Sequence, residues 1–145
     1  MSFIHMPESG IGYYGYCPDE KRWGKPEVIA AAGIACARML CRYGIEIGVG
    51  NCSLEHGGPV DPHKQHKLGV EIDFRPIRKD RAHDACYVTY PVYDRAAMVS
   101  FIVELRCAGF RQFLFNDDAL INAGLTRHAA GHDNHLHAEY TPITS

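Results

Sequence analysis

Two short stretches of this 145-residue chain concentrate side chains that bind metals and move protons. The first is His63-Lys-Gln-His66-Lys-Leu-Gly69-Val-Glu-Ile-Asp73. The second is His132-Asp-Asn-His135-Leu-His137, and together they hold five of the nine histidines. Imidazole titrates near neutral pH and is the commonest metal ligand. His135 and His137 are two apart, so on a strand both rings leave the same face. His66 and Asp73 are seven apart and would leave opposite faces of one unbroken strand. Gly69 offers the bend that turns His66 back over the face carrying Asp73. With the stretches side by side, His66, Asp73 and His137 converge. Two imidazoles and one carboxylate suit a catalytic zinc ion with water in the fourth position. They also match the ligand types of a non-haem iron triad. His135 would pass a proton beside such a metal, while His63 and His132 would orient ligands or stabilise an oxyanion. The zincin His-Glu-x-x-His is absent from the chain.

These residues need elements to hold them. Between Pro26 and Gly44, Val28, Ile29, Ala32, Cys36, Met39, Leu40 and Tyr43 recur at helical spacing, with Pro26 suited to the first turn and Gly44 to the position after the last. A second helix runs from Asp94, as N-cap, to Gly109, with Ala97, Met98, Phe101, Ile102 and Leu105 as its stripe. A helical turn spans Asp118 to Ala123 and ends at Gly124, with Asn116, Asp117 and Asp118 as capping candidates or, alternatively, as supports behind the site. Strands are expected at Ile45–Gly50, Val70–Arg75, Arg111–Phe115 and His135–Tyr140. In the second, Val70, Ile72 and Phe74 oppose Glu71, Asp73 and Arg75; in the fourth, Leu136, Ala138 and Tyr140 oppose His135, His137 and Glu139. The first sets Ile45, Ile47 and Val49 against Glu46, Gly48 and Gly50. This predicts an α+β domain over 1–145, with a small, largely antiparallel sheet of about four strands. Helices cover one face and a metal-holding groove opens on the other. Residues 1–24 read as irregular structure that lays Tyr13, Tyr14, Tyr16 and Trp23 over the domain.

Composition narrows the class. A net charge of −2 and a pI near 6.5 argue against a nucleic-acid partner. No run approaches the ~18 apolar residues that span a bilayer, and 46% apolar content argues against disorder. Cys17, Cys36, Cys41, Cys52, Cys86 and Cys107 include no Cys-x-x-Cys pair. Cys36, Cys41 and Cys107 fall in helical stretches, where a thiol packs as a small apolar group. A disulfide framework would require a protein working outside the cytosol. His5, His56, His83 and His128 read as loop or surface histidines. Ser53 has no triad around it and reads as part of a Gly-rich turn.

The run Gly48-Val-Gly-Asn-Cys-Ser-Leu-Glu-His-Gly-Gly58-Pro, followed by His63-x-x-His66-x-x-Gly69-x-x-x-Asp73 and His132-x-x-His135-x-His137, resembles the penicillin-insensitive murein endopeptidases. These belong to the wider group that includes lysostaphin-type enzymes, D-Ala-D-Ala peptidases and the Hedgehog signalling domain. The resemblance covers roughly residues 45–140. It implies a zinc metallopeptidase acting on peptidoglycan peptide stems, typically at the D-alanyl–diaminopimelate cross-link. His66, Asp73 and His137 match the metal ligands, His135 the catalytic histidine, and His63 and His132 the additional active-site histidines. Arg75, Arg78, Arg111 and Arg127 are candidates to grip substrate carboxylates. Asn51 stands where Asp is expected and Gln65 where Ser is common, which bears on specificity rather than on metal binding. The alternatives are a metal-containing domain that binds peptide or glycan without cutting it, and a D-Ala-D-Ala-type dipeptidase or carboxypeptidase. The first residues show no charged segment followed by an apolar run, so no signal peptide is expected. Nor is there room for a separate wall-binding domain. The expected route to the periplasm or cell wall is then phage lysis or a secretion machine, without membrane insertion.

Overall fold

The computed structural model describes residues 2–58, 66 and 68–141. Four short strands come first: β1 (Ile4–His5), β2 (Ser9–Gly10), β3 (Tyr13–Gly15) and β4 (Trp23–Gly24). Helix α1 (Pro26–Tyr43) begins at Pro26, whose fixed φ suits the first helical position. It ends at Gly44, in the left-handed conformation, whose N–H bonds back to the Leu40 carbonyl. Strands β5 (Ile47–Val49) and β6 (Glu71–Phe74) follow, then α2 (Arg95–Ala108), β7 (Phe110–Leu114), α3 (Asp118–Asn122) and β8 (Leu136–Tyr140). The Asp94 carboxylate caps α2 by accepting from the Ala97 N–H at 3.0 Å.

The expected stripes are buried along α2 and most of α1, but Leu40 and Tyr43 at the end of α1 are exposed. Of the helical cysteines, Cys36 is buried, whereas Cys41 and Cys107 are exposed; all six thiols are free. Glu104 interrupts the apolar side of α2 yet is buried, because Arg42 of α1 reaches it at 2.9 Å and ties the two helices together. No helix among the described residues is long and apolar enough to cross a membrane.

Among the described residues, six strands make one mixed sheet in the order β2-β3-β5-β6-β8-β7, and β1 pairs separately with β4. The four expected strands are present as β5, β6, β7 and β8, all paired antiparallel. The expectation of an irregular N-terminal segment and a sheet of about four strands is corrected. Residues 4–24 supply four strands, and β3 joins β5 in a parallel pair, Tyr13 beside Ile47. Strands of two or three residues are too short to show an alternating pattern.

Ile72, Phe74, Leu136 and Ala138 are fully buried on one face, where Phe74 meets Phe101 of α2 edge-on at 4.9 Å. Glu71, Asp73, His137 and Glu139 occupy the other. The Gly side of β5, expected to turn outward, is roofed instead. A Cβ on Gly48 would lie 2.9 Å from both the Tyr14 ring and Arg75 Cβ, and one on Gly50 would lie 2.5 Å from the Tyr16 hydroxyl. Glycine is what lets these tyrosines lie directly on the strand.

Asp117 anchors the turn into α3. It accepts from the Ala119 N–H at 3.0 Å, from the Tyr93 hydroxyl at 2.6 Å and from Arg95 Nε at 2.8 Å. Burial pushes its carboxyl upward, but the bonds from Arg95 and Tyr93 outweigh that and hold it below the ordinary carboxylate range. Asp117→Ala is expected to destabilise the fold by about 2 kcal/mol, lowering Tm by roughly 4–8 °C. A depressed pKa stabilises above the unfolded value, near 4, and loses that contribution as pH falls through the folded value. The Tm gap between wild type and Asp117→Ala should therefore hold from pH 7 to about 5 and narrow below about 4, as followed by thermal melts.

Candidate metal centre

Strands β6 and β8 run antiparallel in a register that sets Asp73 directly opposite His137. His66 arrives by another route. Gly69 turns the chain at φ 68°, and His66 itself has φ 69°, in the left-handed region. For a residue with a Cβ that conformation costs about 1–2 kcal/mol, and local bonds hold it in place. The Ser53 hydroxyl donates to the His66 carbonyl. The His66 N–H donates to the Glu71 carboxylate. On the ring, Nδ1 lies 3.3 Å from the Glu71 carbonyl oxygen, so Nδ1–H donating there turns Nε2 toward Asp73.

The three side chains meet through the carboxylate. Asp73 Oδ2 lies 3.3 Å from His66 Nε2, and Oδ1 lies 3.1 Å from His137 Nδ1. Asp73 is 3% exposed, His66 1% and His137 3%, so water does not screen them. Burial works to raise the Asp73 carboxyl, but the bonds from His137 and His66 outweigh it and hold it well below the usual carboxylate range. Burial likewise works to lower His66, and its bond to Asp73 reverses the sign. One ligand atom from each residue lies within 4.8 Å of the others, an arrangement that could hold a single metal ion. Nitrogen and carboxylate donors suit a borderline divalent cation, and three protein donors leave a further position open. A cation binding here would compete with the protons these groups share.

Two further histidines stand beside this group. His132 is largely buried, its ring centroid 5.8 Å from that of His137 and 4.5 Å from that of His135. His135 lies immediately before β8, and Nδ1 is 2.9 Å from the Asn134 side-chain oxygen. The loop that carries both is clamped by Asn116. Its Nδ2 donates to the Ala129 carbonyl at 2.7 Å and to Asp133 at 2.6 Å, and its backbone N–H donates to the His132 carbonyl at 3.0 Å.

Members of the group line two grooves. Asp73 and His135 share one groove with Tyr16, Lys21, Asn51 and Arg75, a space of about 490 Å³. His137 and Glu71 line a second, of about 330 Å³, with Gln112, Arg127, His128 and Glu139.

Of the residues singled out from sequence, the structure brings together His66, Asp73, His132, His135 and His137; His63 and Gln65 lie outside the described residues. Arg75 and Arg127 line the two grooves, whereas Arg78 is held by Asp80 at 2.8 Å and Arg111 donates to the Arg106 carbonyl. His128, read as incidental, lines the second groove. Sequence reasoning missed the supporting roles of Ser53 and Glu71, and for Asn116 it set such a role behind capping. Only Glu71 had a legible signal, since period two places it on the Asp73 face. Its Oε2 also lies 3.9 Å from His137 Nε2, so one carboxylate steadies both histidines. Outer partners of this kind tune metal affinity roughly 10- to 100-fold. Glu71→Gln is accordingly expected to weaken divalent-metal binding by about that factor, read by competition with a chromophoric chelator.

Fold and site together define an α+β protein with a buried His-Asp-His group that could hold a metal. No known protein-family profile matches the chain, and no curated protein shows significant similarity to it.

Proposed function

We propose that this protein is a zinc-dependent peptidase that hydrolyses an amide bond in peptidoglycan peptide cross-links, the D-alanyl–diaminopimelate bond above all. The resemblance of its two histidine stretches to the penicillin-insensitive murein endopeptidases supplies the reaction class. The observation that carries it is the meeting of those stretches, 64 residues apart, at the Asp73–His137 pair. Adventitious surface histidines would have no reason to be buried in register. Two grooves lined by members of the group favour an internal bond of a longer peptide over a free dipeptide.

His66, Asp73 and His137 would hold the ion. Zinc bound there supplies a Lewis acid that brings the pKa of water down to about 7 and polarises a carbonyl. His135, at the mouth of the groove beside Asp73, is the group positioned to take a proton from the attacking water and deliver it to the leaving amine. His132, packed between His135 and His137, orients both rings and donates toward developing negative charge. Such a substrate would put the site of action in the cell wall.

Digestion of Gram-negative sacculi by the purified protein tests the reading. New amino termini on diaminopimelate are expected, lost with a chelator and restored by zinc. Binding to sacculi without released muropeptides would instead mark a recognition domain. Faster turnover of free D-alanyl-D-alanine than of cross-linked muropeptide would mark a dipeptidase.

A further inference from the structure

The first groove carries a cation that the metal centre does not use. Arg75 directly follows β6, two residues beyond Asp73, and its N–H still bonds to the Gly48 carbonyl at 2.9 Å. It lines the groove with Asp73 and His135. Its guanidinium carbon lies 4.1 Å from the Tyr16 ring centroid, and Nη1 donates to the His83 carbonyl at 2.8 Å. The His83 ring stacks on Tyr14 with centroids 3.7 Å apart. An otherwise flexible side chain is thus backed by one aromatic ring and hydrogen-bonded to the His83 carbonyl and the Tyr14 side chain before any ligand arrives, which reduces the entropy lost on binding.

Its charge is not matched locally. Arg22, Arg38, Arg42, Arg78, Arg81 and Arg95 each face a carboxylate. Among the described residues, no carboxylate lies within ion-pair distance of Arg75. A few precisely placed polar groups orient the ligand in such a groove, and the planar guanidinium fork matches a carboxylate. Residues two apart on an extended strand stand about 7 Å apart, a span of a few bonds along a peptide.

We propose that Arg75 is a specificity-determining residue that grips a carboxylate carried by the substrate within a few bonds of the amide that is cut. The groove then selects anionic peptides over their neutral counterparts. The inference rests on the peptidase reading above, although the grip itself is measurable without turnover.

The test uses zinc-loaded protein and two cross-linked muropeptides that differ at one place. In one, the diaminopimelate carboxyl next to the scissile nitrogen is free; in the other it is amidated. Wild type is expected to favour the free acid by roughly 10- to 100-fold in kcat/KM. That ratio should collapse toward one in Arg75→Gln, while Arg75→Lys keeps part of it because the charge stays and the fork is lost. If wild type cuts neither peptide, the peptidase reading falls. Calorimetric titration of the same protein with the same two peptides then gives the acid-to-amide ratio as Kd values. Equal handling of the two peptides by wild type, or an unchanged ratio in Arg75→Gln, overturns the role of Arg75. Should Arg75→Gln fail to fold, the wild-type ratio and that of Arg75→Lys decide.

Discussion

Asp73→Ala is expected to remove stoichiometric metal and, with it, the proposed release of muropeptides. Asp73 bonds to both other members of the group, one carboxylate oxygen to each ring. Without it two imidazoles remain, buried and uncoordinated, and their alignment goes as well. The affinity loss should exceed the roughly 10- to 100-fold expected of an outer partner such as Glu71. Removing the carboxylate also leaves two buried rings short of a hydrogen-bond acceptor, which costs about 1–3 kcal/mol each. Asp73→Asn keeps the volume and one oxygen acceptor, so it separates metal loss from a folding defect. Metal content after dialysis, measured by atomic absorption alongside circular dichroism, reads both. A folded Asp73→Asn protein that retains one tightly held ion and full turnover would remove Asp73 from the centre.

His135→Ala is expected to show a different signature: metal content unchanged and kcat down about 10²- to 10⁴-fold, the usual weight of a positioned proton-transfer group. The difference follows from position. His135 precedes β8 and faces the groove, whereas His137, two residues on, is turned into the buried group. Asn116 holds the loop from Ala129 to Asp133, so loss of the His135 ring leaves the backbone path anchored. Loss of metal together with activity in His135→Ala would place its ring among the ligands, and undiminished kcat would remove it from proton transfer.

Much of this was readable along the chain because its signals are local. The limits of α1 and α2 follow from Pro26, Gly44, Asp94 and Gly109, each acting within one turn of its neighbours. The exposed Leu40 and Tyr43 mark where periodicity overreached: a helical stripe says which residues share a face, not how far the partner surface extends. The short strands of the N-terminal segment carried no pattern at all. β3 exists because β5, 34 residues further on, offers it an edge, and β1 exists because β4 does.

The sequence by itself determined the donor types, the face on which Asp73 and His137 each stand, and the need for a bend at Gly69, since strand alternation and glycine conformation depend on nearest neighbours. Only the tertiary structure decided that Asp73 stands opposite His137, because register belongs to two strands at once. It alone decided that His66 is held by Ser53 and Glu71, that Asn116 fixes the histidine loop, and that Arg75 is braced in the groove. Each of these depends on contacts between segments distant in the chain, which residue spacing does not encode.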